Sequence, residues 1–237
     1  DVCSSDLLYN IPTQLIFMEK LDGTIDQIFK NIKLNSDEFL SYIFQLCFGL
    51  AFVQKEFNFF HNDLHTSNVM YKKSNKDYLY YQVNEKFFKI KTYNNIIKII
   101  DFGRAVFTFN NKYFVSDVFS YDGEAYGQFT YPNDKFNKKQ VNPSPSFDLC
   151  YFAVTFFEDF PFFNDTDSPI YKLIYSWVID KYGKDVRRYD EFDLYKIITR
   201  RMNNAIPKNQ LLKDIFSNFL IDFKDIPKDE NIYKLVN

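Results

Sequence analysis

Both histidines of this 237-residue chain fall in one window, His61-Asn62-Asp63-Leu64-His65-Thr66-Ser67-Asn68, and a later strand-like run, Ile96-Ile97-Lys98-Ile99-Ile100, ends in Asp101-Phe102-Gly103. The two halves of this pattern need each other chemically. Asp63 supplies a carboxylate that can position a hydroxyl and take its proton. Asn68 and Asp101 supply an amide and a carboxylate oxygen, the hard ligands that magnesium prefers. Taken singly, each residue has a plainer reading: Asp63 as a turn cap, Asn68 in a left-handed turn, Asp101 as a strand-end turn residue. Their joint occurrence in this order favours the chemical reading.

On these residues the chain resembles the protein-kinase superfamily, whose HxDxxxxN loop and DFG turn carry the same groups. The resemblance implies an α+β fold, the large C-terminal lobe of a protein-kinase-like domain, mostly α-helical with short β-hairpins. It implies ATP and Mg2+ as cofactors, Asp63 as the catalytic base, and Asn68 and Asp101 as metal ligands. It places His61 beneath the DFG turn, where it orients the loop, with a general base as the rival reading, and makes Phe102 and Gly103 the residues that let the turn pack and bend. Asp148 is implied to hydrogen-bond the loop backbone from the start of a central helix, with a plain helix cap as the alternative. Gln14-Leu15-Ile16-Phe17-Met18 reads as a short strand broken by Glu19-Lys20-Leu21-Asp22-Gly23. There the resemblance implies the hinge, 18–23, with Met18 at the gatekeeper position. Backbone groups near Glu19 and Leu21 would bond adenine, and Asp22 or Asp26 would approach the ribose.

The first seven residues, Asp1-Val2-Cys3-Ser4-Ser5-Asp6-Leu7, match the in-frame translation of a common sequencing-adapter end. Residues 1–7 are therefore expected to be foreign and are set aside from fold reasoning, an ordinary loop being the alternative. The kinase-like domain is expected over 8–237. The chain contains no GxGxxG and no VAIK-like lysine. The Gly-rich loop, its Lys and the partner Glu are expected upstream, with the small lobe largely absent.

Asn35-Ser36-Asp37-Glu38 reads as a helix start, with Asn35 and Glu38 at capping-box spacing. Phe39, Leu40, Ile43, Phe44, Cys47, Leu50 and Ala51 follow at i, i+3, i+4 spacing and predict about five turns ahead of the catalytic loop, 61–68. Val69-Met70-Tyr71 reads as a strand. Residues 74–95 read as an insertion, in which two apolar runs flank Asn84-Glu85 as a β-hairpin. It is either an inert surface elaboration or a docking hairpin. A second hairpin is expected around Asn110-Asn111, then loop over 116–145. A helical subdomain over 146–237 is expected, with helical patterns at about 146–160, 168–182, 190–203 and 208–222.

Three departures from the kinase pattern bear on function. Asn62 stands where an Arg usually precedes the catalytic Asp, which removes the obvious partner for an activation-loop phosphate. His65 stands where many Ser/Thr kinases have Lys, and Asp-Leu-His resembles haspin-like, lipopolysaccharide and aminoglycoside-type kinases. No APE separates Asp101 from Asp148. The leading expectation is an ATP-dependent phosphotransferase acting on Ser or Thr of a protein substrate, similar to kinases of large DNA viruses. One alternative is a small-molecule kinase of choline or aminoglycoside type. The other is a pseudokinase scaffold, against which the retained Asp63, Asn68 and Asp101 argue.

A net charge of −2 provides no basic field for nucleic acid. The longest apolar run, Leu149 to Phe157, is about half the length a membrane helix needs, so neither nucleic acid nor membrane is an expected partner. Three Cys make no disulfide framework, which fits a reducing intracellular setting, the cytoplasm of a host or infected cell or a virion. Oligomeric state stays open. The 29 Phe and 18 Tyr have AT-rich codons, and their abundance is expected to reflect a low-GC genome rather than function.

Overall fold

A computed structural model of the chain describes residues 17–31, 35–129 and 142–236. The adapter-like leader, most of the expected strand 14–18 and part of the expected loop 116–145 lie outside the described residues. In chain order the secondary structure opens with β1 (Gly23–Thr24), α1 (Ile25–Asn31) and α2 (Ser36–Phe57). Strand β1 begins at Gly23, the last residue of the expected break. A Cβ at Gly23 would crowd the Gln27 side chain and sit 2.8 Å from the Tyr71 ring, so glycine leaves room for these two side chains beside β1.

Helix α2 organises the core. It starts because Asn35 is extended and its side chain accepts the Asp37 N–H at 3.0 Å, with Asp37 and Glu38 placing negative charge in the first turn. The other half of a capping box is replaced: Glu38 accepts from the Tyr42 hydroxyl at 2.8 Å. The helix ends at Asn58, which takes a left-handed conformation (φ 46°) and donates its N–H to Val53 O. At 22 residues it is about one turn longer than the apolar spacing suggests. Every residue from Phe39 to Phe48 is buried, including two polar ones. Ser41 donates to Lys91 O at 2.5 Å, and Gln45 Oε1 accepts the Ile97 N–H at 3.1 Å. By length and composition α2 could cross a membrane, but 67% of its most apolar stretch is buried inside the protein, as in a core helix.

After α2 come β2 (Val69–Lys73), β3 (Tyr78–Val83), β4 (Lys86–Lys91) and β5 (Asn95–Ile99). Strand β2 lies between β1 and β5 in an antiparallel three-stranded sheet, with Val69 opposite Ile99 and Lys73 opposite Asn95. Next are β6 (Val106–Phe109) and β7 (Lys112–Val115), a hairpin whose two turn residues, Asn110 and Asn111, both have positive φ. That is the turn Asn-rich dipeptides favour.

The 74–95 hairpin forms where the alternation puts it, but it is not surface decoration. Strands β3 and β4 sit inside a four-stranded sheet whose edges are β8 (Leu220–Ile221), on β4, and β9 (Ile232–Leu235), parallel to β3. Leu79, Tyr81, Val83, Phe88 and Ile90 are buried in the same core cluster as the apolar residues of α2. The Phe44 ring lies 4.9 Å from Phe88, 5.4 Å from Tyr81 and 5.3 Å from Phe216. Many of the abundant phenylalanines, Phe44, Phe88 and Phe216 among them, are thus core material. Ile90→Ala is expected to cost about 3 kcal/mol in urea unfolding, whereas exposed Glu85→Ala should stay within about 0.5 kcal/mol. Equal, near-zero effects would return the hairpin to the surface.

The 146–237 region departs from the expected helical subdomain. Its helices are α3 (Phe147–Asp159), α4 (Pro169–Ser176), α5 (Glu191–Arg201) and the single turn α6 (Pro207–Gln210). Helix α4 stops short of 182 because the chain turns at Asp180, whose Oδ1 accepts the N–H groups of Tyr182 and Lys184, both at 2.9 Å. The helix expected over 208–222 is replaced by α6, a 3-10 segment (Asp214–Phe219) and β8. Pairing with Phe87 and Phe88 of β4 outweighs local helical periodicity there. Strand β9 was not foreseen; its partner β3 lies far away in sequence.

Candidate active site

The window 61–68 follows the end of α2 at Phe57 and the short link 58–60, and enters β2 at Val69. An antiparallel bridge between Phe60 and Val106, with N–H···O distances of 2.8 and 2.9 Å, fastens its start to the segment after Gly103. Asp148, fully buried in the first turn of α3, accepts the N–H of His61 at 3.1 Å and of Asn62 at 2.9 Å. Burial pushes its carboxyl above the usual carboxylate range, offset in part by the His61 ring and these two N–H donors. Asp148→Ala would leave both donors buried and unpaired. A loss of about 3 kcal/mol is expected in thermal or urea unfolding. Unchanged stability would mean that the two N–H groups find other partners.

His61 is buried and commits both ring nitrogens to the main chain. Nε2 lies 2.7 Å from Ile100 O, and Nδ1 accepts the Asp63 N–H at 3.3 Å, so the proton resides on Nε2. The ring therefore joins the loop to the residue preceding Asp101 and has no nitrogen left for a base. Asn62, left-handed (φ 62°) and buried, donates its amide to Phe60 O and Arg104 O, both at 3.2 Å.

Asn68 closes the link. Its carbonyl accepts the Ile100 N–H at 3.0 Å, and its Nδ2 donates to Asp63 O at 3.0 Å. With the amide nitrogen occupied, Oδ1 is the atom left to meet a cation. Asp101 is exposed, takes a left-handed conformation (φ 63°) and accepts the Gly103 N–H on Oδ1 at 3.3 Å. A non-glycine residue held this way costs roughly 1 kcal/mol and persists where its surroundings fix it. Phe102 is half in solvent, its ring edge-on to His61 at 5.8 Å and to Phe59 at 5.4 Å. Gly103 is exposed at the turn.

The expected hinge residues run along the same three-stranded sheet. Met18 and Glu19 are exposed and Leu21 is half-buried. Glu19 pairs with Lys98 of β5 at 3.5 Å, and Lys72 of β2 donates to Lys20 O at 2.7 Å. These contacts tie 19–22 to the two strands whose ends carry Asn68 and Asp101. Asp22 accepts the Lys73 N–H at 2.8 Å and Asp26 pairs with Lys30 at 3.1 Å, so both carboxylates expected near a ribose are engaged with protein neighbours.

Four residues at Asp63 escaped the sequence reading. Asp63 Oδ1 accepts from the Tyr195 hydroxyl at 2.8 Å, and the Tyr195 and Tyr151 oxygens lie 2.6 Å apart. Arg104 Nε stands 3.7 Å from Asp63 Oδ2, while Nη2 of the same side chain bonds Glu124 at 2.8 Å. Arg104 follows Gly103 directly and could have been singled out on that ground. Tyr195, 132 positions beyond Asp63, has no local signal.

No group of three or more His, Cys, Asp or Glu side chains converges to hold a metal among the described residues. A cation here would draw on one carboxylate, one amide oxygen, water and its substrate's own oxygens, a donor set that suits magnesium. A cleft of about 700 Å³ lined by Glu85, Phe87, Ile221 and Phe223 lies at the edge of the four-stranded sheet and includes none of these residues.

No family model matches the chain. A 71-residue stretch is 39% identical to a serine/threonine-protein kinase haspin homolog of Arabidopsis thaliana, covering 30% of this chain and 12% of that protein. A 75-residue stretch is 35% identical to an uncharacterized protein of African swine fever virus, covering 28% of this chain and 10% of the viral protein. The matches thus span about a tenth of those proteins' length. Part of this chain is similar to part of a kinase homologue and to part of a viral protein.

Proposed function

We propose that the described residues form the large lobe of a protein-kinase-like fold and that the protein is an ATP- and Mg2+-dependent phosphotransferase. The observation that carries this reading is the knitting of the two motif halves through Ile100: its carbonyl meets the His61 ring and its N–H meets Asn68 O. That pairing sets Asp101 beside the loop that carries Asp63 and Asn68. In this reading Asp63 takes the proton of the acceptor hydroxyl as the acceptor oxygen bonds to the γ-phosphorus. The bond from phosphorus to the β–γ bridging oxygen breaks, and its electron pair leaves on ADP. Mg2+ held by Asn68 and Asp101 would neutralise charge on the β- and γ-phosphate oxygens. Met18, Glu19 and Leu21 would border adenine. The acceptor is a Ser or Thr hydroxyl of a protein, a choice supported by the name of the plant relative.

The test is transfer of labelled γ-phosphate from Mg-ATP by the full-length protein to a protein mixture and, separately, to choline, aminoglycosides and sugars. Label on Ser or Thr is the expected result. Label on a small molecule alone would move the acceptor class. ATP binding with no transfer to any acceptor would favour a scaffold that keeps the fold.

A further inference from the structure

Asp63 is held from one side only. Its Oδ1 accepts the Tyr195 hydroxyl proton at 2.8 Å, whereas Oδ2 faces Arg104 Nε at 3.7 Å, beyond hydrogen-bond length. A phenol has one proton. If Tyr195 gives its proton to Asp63, Tyr151, 2.6 Å away, supplies its own to the Tyr195 oxygen. The result is a directed relay, Tyr151 to Tyr195 to Asp63 Oδ1, running from α3 and α5 into the loop.

The two rings pack with centroids 4.8 Å apart, Phe147 flanks Tyr195 at 5.9 Å, and the Arg104 guanidinium lies over the Tyr195 ring at 5.4 Å. Both tyrosines are half-buried. Burial, first, and the nearby Asp63 charge push the Tyr195 hydroxyl upward, so it keeps its proton through the physiological range and remains a donor.

We infer that Tyr195 is a positioning residue for Asp63: it pins Oδ1 and so presents Oδ2 as the oxygen that takes the acceptor's proton. This rests on the phosphotransfer reading above and adds to it the atom that acts and the residue that aims it. Arg104 lies too far to compete for the Oδ2 lone pairs as a hydrogen-bond donor, yet near enough to stabilise the carboxylate's charge. Proton transfer demands heavy-atom approach within about 3 Å, so a carboxylate free to rotate would lose productive alignment.

The experiment is a double-substitution cycle on kcat in the full-length protein, with Tyr195→Phe, Asp63→Asn and both together. Tyr195→Phe keeps the ring and removes only the hydroxyl. It is expected to lower kcat about tenfold to a hundredfold and leave KM for ATP within about twofold. In the Asp63→Asn background it should cost nothing further, because Tyr195 acts through Asp63. Tyr151→Phe should lower kcat less, by about threefold, since Tyr195 keeps its own proton for Asp63. The inference is overturned if Tyr195→Phe keeps the wild-type kcat, if it lowers kcat by the same factor with and without Asp63, or if the whole loss falls on KM. A folding defect in Tyr195→Phe would show as a lowered Tm, and Tyr151→Phe then decides: an unchanged kcat overturns the relay. A wild-type protein that transfers no phosphate brings down the phosphotransfer reading and this inference together, an outcome distinct from an active wild type with an indifferent Tyr195→Phe.

Discussion

Asp63→Ala in the full-length protein is expected to lower phosphate transfer about a thousandfold and to leave ATP affinity within about twofold. The magnitude follows from the role proposed for the carboxylate: it would act on the acceptor's proton and touch neither adenine nor phosphate, so its loss would fall on the chemical step. The substitution also strands the Tyr195 hydroxyl and frees Arg104 from its 3.7 Å partner. Asp63→Asn keeps the shape and separates that local disturbance from the loss of the base. Transfer in single-turnover mode and ATP binding by calorimetry supply the two readouts. Full turnover in Asp63→Ala would remove Asp63 from the chemistry.

Asp101 should behave differently. Asp101→Ala is expected to weaken Mg-ATP binding and transfer together, each by about a hundredfold or more, because in the proposed reaction the lost carboxylate would hold the cation in ground state and transition state alike. Part of the effect is conformational. Asp101 is left-handed, and aspartate tolerates that region better than alanine does. Asp101→Asn preserves the backbone preference and an oxygen while removing the charge, so it isolates the electrostatic share. Magnesium titrations of ATP affinity should show a much shallower dependence in both variants. A variant whose affinity for ATP still rises with magnesium as in wild type would place the cation elsewhere.

What the sequence made legible was what depends on near neighbours. The Asn35 cap, the apolar face of α2 and the two-residue turns at Asn84-Glu85 and Asn110-Asn111 are local choices with local causes, and the elements stand where those residues put them. The candidate site was legible as far as its two motifs reach, His61 to Asn68 and Asp101 to Gly103. What the sequence concealed was decided by partners far along the chain. Leu220 and Ile221 carry helical periodicity, yet they pair with β4, and Ile232 to Leu235 extend only because β3 offers them an edge. Tyr195 and Tyr151 read as ordinary aromatic positions of two helices until those helices deliver them to Asp63. Asn62 took its meaning the same way: its amide reaches Arg104 O, a pairing that spacing alone does not reveal.

In the proposed phosphotransferase, Asn68 Oδ1 and the Asp101 carboxylate jointly hold a divalent cation against the phosphates of ATP. The most direct test of this assignment is a crystal structure of the full-length protein with Mn2+ and a non-hydrolysable ATP analogue, read from the anomalous signal of the metal. One manganese peak is expected within about 2.5 Å of both Asn68 Oδ1 and an Asp101 oxygen, bridging to the analogue's phosphates. Manganese and analogue bound away from these two residues, with Asn68 and Asp101 both uncoordinated, would contradict it.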